Sequence, residues 1–208
     1  MLLTGKRDAC IAKDIIQTRT QEIVMKAVVL SVLSLCLPVV SLHAAQRQID
    51  PAQSSFTIYV GRAGLLAAAG HDHVVTAPIA EGAIDDGEPA SVNFRVESVS
   101  LTVLPEDHQT EVQQNMQERV LESSSFPDIR FASTQVQPAG NSQWDVIGQL
   151  TLHGQTHPVH LHVRLIDGKY SGSTSIKQTS FGIQPVSAGG GTVKVKDELK
   201  IDFSIVAK

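Results

Sequence analysis

Cysteine, aromatic residues and excess positive charge are all scarce in this chain. Of 208 residues only two are cysteine, Cys10 and Cys36, and no Cys-x-x-Cys or Cys/His zinc spacing occurs, which excludes disulfide and zinc-finger scaffolds. Lys and Arg number 17 against 21 Asp and Glu, so no basic surface is available to neutralise phosphates and nucleic-acid binding is not expected. The sequence also lacks a Gly-x-Ser-x-Gly elbow, a glycine-rich phosphate loop ending in Lys-Ser/Thr and a His-Glu-x-x-His motif; these absences predict a protein that is not an enzyme, with no cofactor. At 42% hydrophobic and 18% charged residues, the composition suits an ordinary folded domain rather than a long disordered chain.

The first 44 residues are expected to lie outside the fold. From Met25-Lys26 an apolar run extends through Ala27 to Val40, broken only by Ser31, Ser34 and Pro38, and is followed by Ser41-Leu42-His43-Ala44. A short positive segment, an apolar stretch and a small-residue site make a secretory signal, with cleavage expected after Ala44. The run falls short of the roughly 20 apolar residues of a membrane span. Leu35 precedes Cys36 where a lipoprotein signal needs a small residue, so no lipid anchor is expected. Residues 1–24 have no signal character and are expected to be an upstream extension, with Met25 as initiator. The remaining residues 45–208 hold 12 Lys and Arg, 18 Asp and Glu and no cysteine, and are long enough to bury a core unaided.

In that remainder the apolar period is two, the signature of half-buried strands. Phe56, Ile58 and Val60 alternate with polar neighbours, as do Val92, Phe94 and Val96. Past Glu97 the parity flips to Val99, Leu101 and Val103, which predicts a bulge near Glu97-Ser98 in one long bent strand. Trp144, Val146, Leu150 and Leu152 share a parity, then Val159, Leu161, Val163 and Leu165 after the turn His153-Gly154-Gln155-Thr156. Asp167-Gly168 predicts a second hairpin, leading to a polar strand from Tyr170 to Ile176; Leu199, Ile201, Phe203 and Ile205 close the pattern. Ser187-Ala188-Gly189-Gly190-Gly191 reads as a loop between strands. One helix is expected, from Pro105 to Leu121, with Val112, Met116 and Val120 on a narrow stripe that packs outside or caps an end. The predicted class is all-β, an antiparallel barrel of about eight strands with one short helix.

Four segments carry a family resemblance: Ile49-Asp50-Pro51-Ala52-Gln53-Ser54-Ser55-Phe56, Ser123 to Phe131, Val146 to Thr156, and Ser180-Phe181-Gly182-Ile183. In this order, over about residues 47–207, they resemble the YceI-like family of exported bacterial proteins. The resemblance implies a lipocalin-like barrel whose elongated apolar cavity holds a polyisoprenoid or similar long-chain lipid in the periplasm. The chain departs from the family where an Arg-x-Asp commonly precedes Phe-Gly-Ile; here Gln178, Thr179 and Ser180 stand in its place.

Under that reading Phe56, Ile58, Val60, Phe94, Phe126, Phe131, Trp144, Phe181 and Phe203 are the candidate cavity lining; the alternative is that they fill a barrel core. His71-Asp72-His73 has a second reading. On a strand both imidazoles face one way, as zinc or copper ligation needs, with a third ligand from His157, His160 or His162; in a turn beside Gly70, Asp72 caps backbone amides instead. His160 and His162 oppose the Val159/Leu161/Val163 face and are expected in solvent. Three functions follow: a non-enzymatic periplasmic lipid-binding barrel, a metal- or haem-handling protein built on His71 and His73, or a filled scaffold that binds a protein partner.

Overall fold

The structure is a computed structural model that describes residues 46–64, 72–188 and 193–208, all within the compact unit His43–Lys208. The signal sequence, the upstream extension and His71 lie outside the described residues. Among the described residues twelve strands are present: β1 (Arg47–Gln48), β2 (Ser55–Ala63), β3 (His73–Pro78), β4 (Glu81–Asp85), β5 (Ser91–Glu97), β6 (Thr102–Val103), β7 (Asp128–Gly140), β8 (Gln143–Leu152), β9 (Gln155–Ile166), β10 (Lys169–Lys177), β11 (Ser187–Ala188) and β12 (Val193–Ile205). They form one antiparallel sheet in the order β1-β4-β5-β7-β8-β9-β10-β12-β2-β3-β6, with β11 pairing β12. The sheet therefore follows eleven strands rather than about eight. Two-residue strands such as β1 and β6 show no periodicity by which to count them.

The sheet curls into a barrel-like shell, and β1 joins its two flanks. Gln48–Asp50 reaches β4 through the Ile49 amide, which donates to Gly82 O at 2.9 Å, and reaches the end of the chain through Asp50 N to Val206 O at 2.8 Å and Lys208 N to Gln48 O at 2.9 Å. Elsewhere the closure is apolar. Phe203, Phe56, Phe94 and Phe131 form a row with ring centroids 6.4, 4.9 and 5.1 Å apart, and its middle contact joins β2 to β5, which share no ladder.

The hairpins β8–β9 and β9–β10 turn through two residues each. His153-Gly154 have φ of 50° and 70°, and Asp167-Gly168 have φ of 50° and 76°, the positive pair whose twist suits a tight hairpin. The first turn is thus two residues shorter than predicted, with Leu152 facing Gln155.

Three local expectations are corrected. The parity flip after Glu97 is not a bulge in one bent strand: Ser98–Ser100 form a 3-10 turn, and β6 leaves to pair with β3. Ser98 is buried and tied down, its hydroxyl donating to Phe126 O at 2.6 Å and its amide to Pro127 O at 2.8 Å. Ser187–Ala188 is not loop but strand β11, facing Val193 and Lys194. The helix does not start at Pro105, because Leu104 N still donates to Val74 O and His108 has a left-handed φ of 58°. It runs as α1 over Gln109–Asn115 and continues in a wider π turn over Met116–Val120, where Leu121 N reaches Met116 O at 2.9 Å.

Candidate functional site

The inward parity of the strands surrounds a cavity of about 660 Å³. Its walls are Phe56, Ile58 and Val60 of β2, Val92, Phe94 and Val96 of β5, Trp144, Val146 and Leu150 of β8, Val159, Leu161 and Val163 of β9, and Leu199, Ile201, Phe203 and Ile205 of β12. From Leu199 to Ile205 the wall runs about 20 Å, at about 3.4 Å per residue of antiparallel strand. The cavity is therefore long as well as apolar.

Space for it comes from glycines that let rings lie against the wall. Gly172 faces Phe203 across β10–β12, and a Cβ there would stand 2.6 Å from Phe203 Cζ; a Cβ at Gly148 would stand 2.3 Å from Phe131 Cζ. Both are closer than packed atoms approach, so each phenylalanine occupies the room that a neighbouring side chain would otherwise need.

The helix supplies one end. Val112, Met116 and Val120 line the cavity, joined by Asn115 and Arg119. A second column of α1, at spacing four, holds the helix in place. Gln113 Oε1 accepts Val103 N at 2.7 Å and its Nε2 donates to Leu101 O at 2.8 Å; Gln109 Nε2 donates to Val103 O at 2.7 Å and Gln117 Nε2 to Leu101 O at 3.0 Å. These amides satisfy backbone groups left over where β5 gives way to the 3-10 turn.

At the opposite end Trp144 and Tyr170 line the cavity beside Asp85 and Asp86. Arg47 grips Asp86 with two bonds, 2.8 and 3.2 Å long, also donates to the Tyr170 hydroxyl, and lies 5.6 Å from the Tyr170 ring centre. The Asp86 carboxylate first and the Tyr170 hydroxyl second raise the Arg47 pKa above its ordinary value, so this arginine is a fixed cation with its charge already answered.

Of the nine residues expected to line the cavity, Phe56, Ile58, Val60, Phe94, Phe131, Trp144 and Phe203 do so. Phe126 and Phe181 do not. Phe126 packs on the β8–β9 turn, 4.2 Å from the His153 ring, under a Gly154 whose Cβ would meet it at 2.8 Å. Phe181 is 2% exposed in a 3-10 turn and sets its edge on His157 at 5.2 Å; it anchors the chain ahead of β11. At the position where the family commonly has arginine, Gln178 Nε2 donates to Lys196 O, and the next residue, Thr179, donates through N and Oγ1 to Asp197, each at 2.8 Å. The sequence reading overlooked Asn115 and Arg119, because only the apolar column of the helix carries a periodic signal.

His73 opens β3 and lines the cavity, with Nδ1 2.7 Å from Glu106 Oε1. Asp72 accepts the Arg62 amide at 3.0 Å, the backbone-capping role of the turn reading. His160 and His162 face solvent, His162 bonding Asp145 at 2.8 Å. Among the described residues no group of three His, Cys, Asp or Glu is placed to hold a metal, and no helix is long and apolar enough to cross a membrane.

Fold and site together define an antiparallel barrel-like protein with a long apolar chamber, roofed at one end by a pinned helix. The family model for the YceI-like domain matches residues 48–207, and the chain belongs to that family. It is similar to a UPF0312 protein of Vibrio cholerae, 33% identical over 78 residues that cover 33% of this chain and 41% of that one. It is also similar to a UPF0312 protein of Pseudomonas savastanoi pv. phaseolicola, 27% identical over 131 residues, 58% and 65% of the two chains. The chain thus spans about two fifths of the Vibrio relative's length. Among solved structures, Burkholderia cenocepacia BcnA aligns with a TM-score of 0.56 at 18% identity, over 77% of this chain and 99% of that one. A polyisoprenoid binding domain from Saccharophagus degradans aligns with a TM-score of 0.53 at 15% identity, over 78% and 97%.

Proposed function

We propose that this protein is a non-enzymatic carrier that encloses a polyisoprenoid or other long-chain lipid, working in the periplasm after loss of residues 25–44. Residues 1–24 are, in this proposal, an upstream extension. The observation that carries the reading is the chamber itself: about 660 Å³ lies within the roughly 300–1,000 Å³ of small-molecule sites, and its length suits a chain rather than a disc. The polyisoprenoid binding of the Saccharophagus domain that shares this fold favours the same class of ligand. Burial of apolar surface, roughly 25 cal/mol per Å² before the cost of ordering, drives such binding. An open chamber does not suit a filled scaffold; of the histidine pair in the metal or haem reading only His73, bonded to Glu106, is among the described residues.

Native mass spectrometry followed by denaturing lipid extraction, on protein purified from periplasm, tests the proposal. A stoichiometric adduct that extracts as a long-chain lipid is expected, and Phe56→Glu, checked for folding by circular dichroism, should lose it. Folded protein that carries no lipid and takes up none would overturn the reading.

A further inference from the structure

The chamber is not electrically symmetric. Its lining holds two carboxylates, Asp85 and Asp86, both at the Trp144 end, and one guanidinium, Arg119, at the helix end. At the carboxylate end Arg47 already answers Asp86, and Asp85 accepts the Gly87 amide at 2.8 Å. A second anion placed there would meet negative charge. At the helix end the balance is reversed. Arg119 is exposed and, among the described residues, makes no ion pair; the same holds for Arg164 of β9, which is outside the lining, whereas Arg47, Arg62, Arg95 and Arg130 each face a carboxylate. Glu122, three residues on, is engaged by His153 at 3.3 Å, and Glu106 by His73. Asn115 stands one turn before Arg119, so an amide and a guanidinium share the polar edge of the stripe formed by Val112, Met116 and Val120. An arginine here lays its aliphatic stem along the chamber mouth while its head stays in water.

We infer that the bound lipid carries an anionic head, a phosphate or a carboxylate, held at the helix end by Arg119 and Asn115, with its apolar chain running toward Trp144. This rests on the lipid-carrier reading and adds to it the head chemistry and the direction of the chain. The guanidinium offers a fork of donors to either oxyanion, and the solvated mouth spares the head the cost of burial.

The test uses three probes of one chain length on delipidated protein: geranylgeranyl monophosphate, geranylgeranoic acid and the neutral alcohol geranylgeraniol. Binding is read from the fluorescence of Trp144, the only tryptophan, and by native mass spectrometry. Wild-type protein should bind at least one anionic probe about tenfold more tightly than the alcohol, as a charge-assisted hydrogen bond at a solvated site allows. Whichever anion is preferred identifies the source. Arg119→Gln should bring that ratio to about one, by the loss of the same bond, with affinity for the alcohol unchanged. Arg119→Lys should keep part of the preference, and Arg130→Gln, on the outer face, should keep all of it. Equal affinity for all three probes in the wild type, or a preference that survives in Arg119→Gln, overturns the head assignment and leaves the carrier reading standing. Failure of all three to bind overturns both.

Discussion

Glycine and phenylalanine act as pairs in this wall, and the pairing explains how a chain with few aromatics surrounds an open chamber. A ring that lies on a glycine gives its area to the wall instead of the lumen; without the glycine it would have to stand up into the cavity. Gly148→Ala should therefore destabilise the fold by about 1–3 kcal/mol, the usual cost of overpacking, since the new Cβ would sit 2.3 Å from Phe131 and 2.8 Å from Ala132 O. Adding Phe131→Leu should recover part of the loss. Urea denaturation of the two single variants and the double variant measures this coupling, and strict additivity would show that the ring and the glycine are independent. Phe126 and Phe181 mark the opposite case: the sequence shows a phenylalanine, and only the neighbouring turn shows that it points away from the chamber.

The helix carries three columns with three tasks. Gln109, Gln113 and Gln117 bind the backbone of residues 98–103; Val112, Met116 and Val120 close the chamber; Asn115 and Arg119 edge its mouth. Only the second column was legible in the sequence, because apolar spacing is a periodic signal and a glutamine facing a carbonyl looks like any solvated glutamine. Gln113→Leu should leave the Val103 amide without its acceptor, at a cost of about 1–3 kcal/mol, and should loosen the helix. Hydrogen exchange would show faster loss of protection at Val103 and along 109–120. Unchanged protection would mean that apolar packing alone holds the helix.

For the molecule as a whole, closure rests on few groups. Asp50 sits at the seam made by β1, its side chain 5% exposed and 3.0 Å from Lys208 Nζ; Lys208, then Gln53, lower its pKa. Asp128 is lowered by Arg130 and then Arg95, and Asp197 by the Thr179 amide and hydroxyl. All three carboxylates titrate lower in the folded state than in the unfolded chain, so each favours folding above the unfolded value. That contribution is lost as pH falls through the folded values, below about pH 4. Calorimetry across pH should show Tm dropping in that window, with a shallower drop in Asp128→Asn; equal Tm at pH 3 and pH 6 would contradict it.

The alternation of apolar residues made β2, β5, β8, β9 and β12 and their inward faces legible in the sequence, because period two is a local property; of the hairpins, Asp167-Gly168 was legible as it stands and His153-Gly154 only as part of a longer turn over His153–Thr156. Seven of the nine residues put forward under the family resemblance do line the chamber. Tertiary structure alone decided that β6 leaves β5 for β3, that β1 seals the seam against the chain terminus, and that Arg119 and Asn115 edge the mouth. Each of these depends on which distant strand or helix comes to stand opposite, and a residue's partner across space leaves no period in the chain.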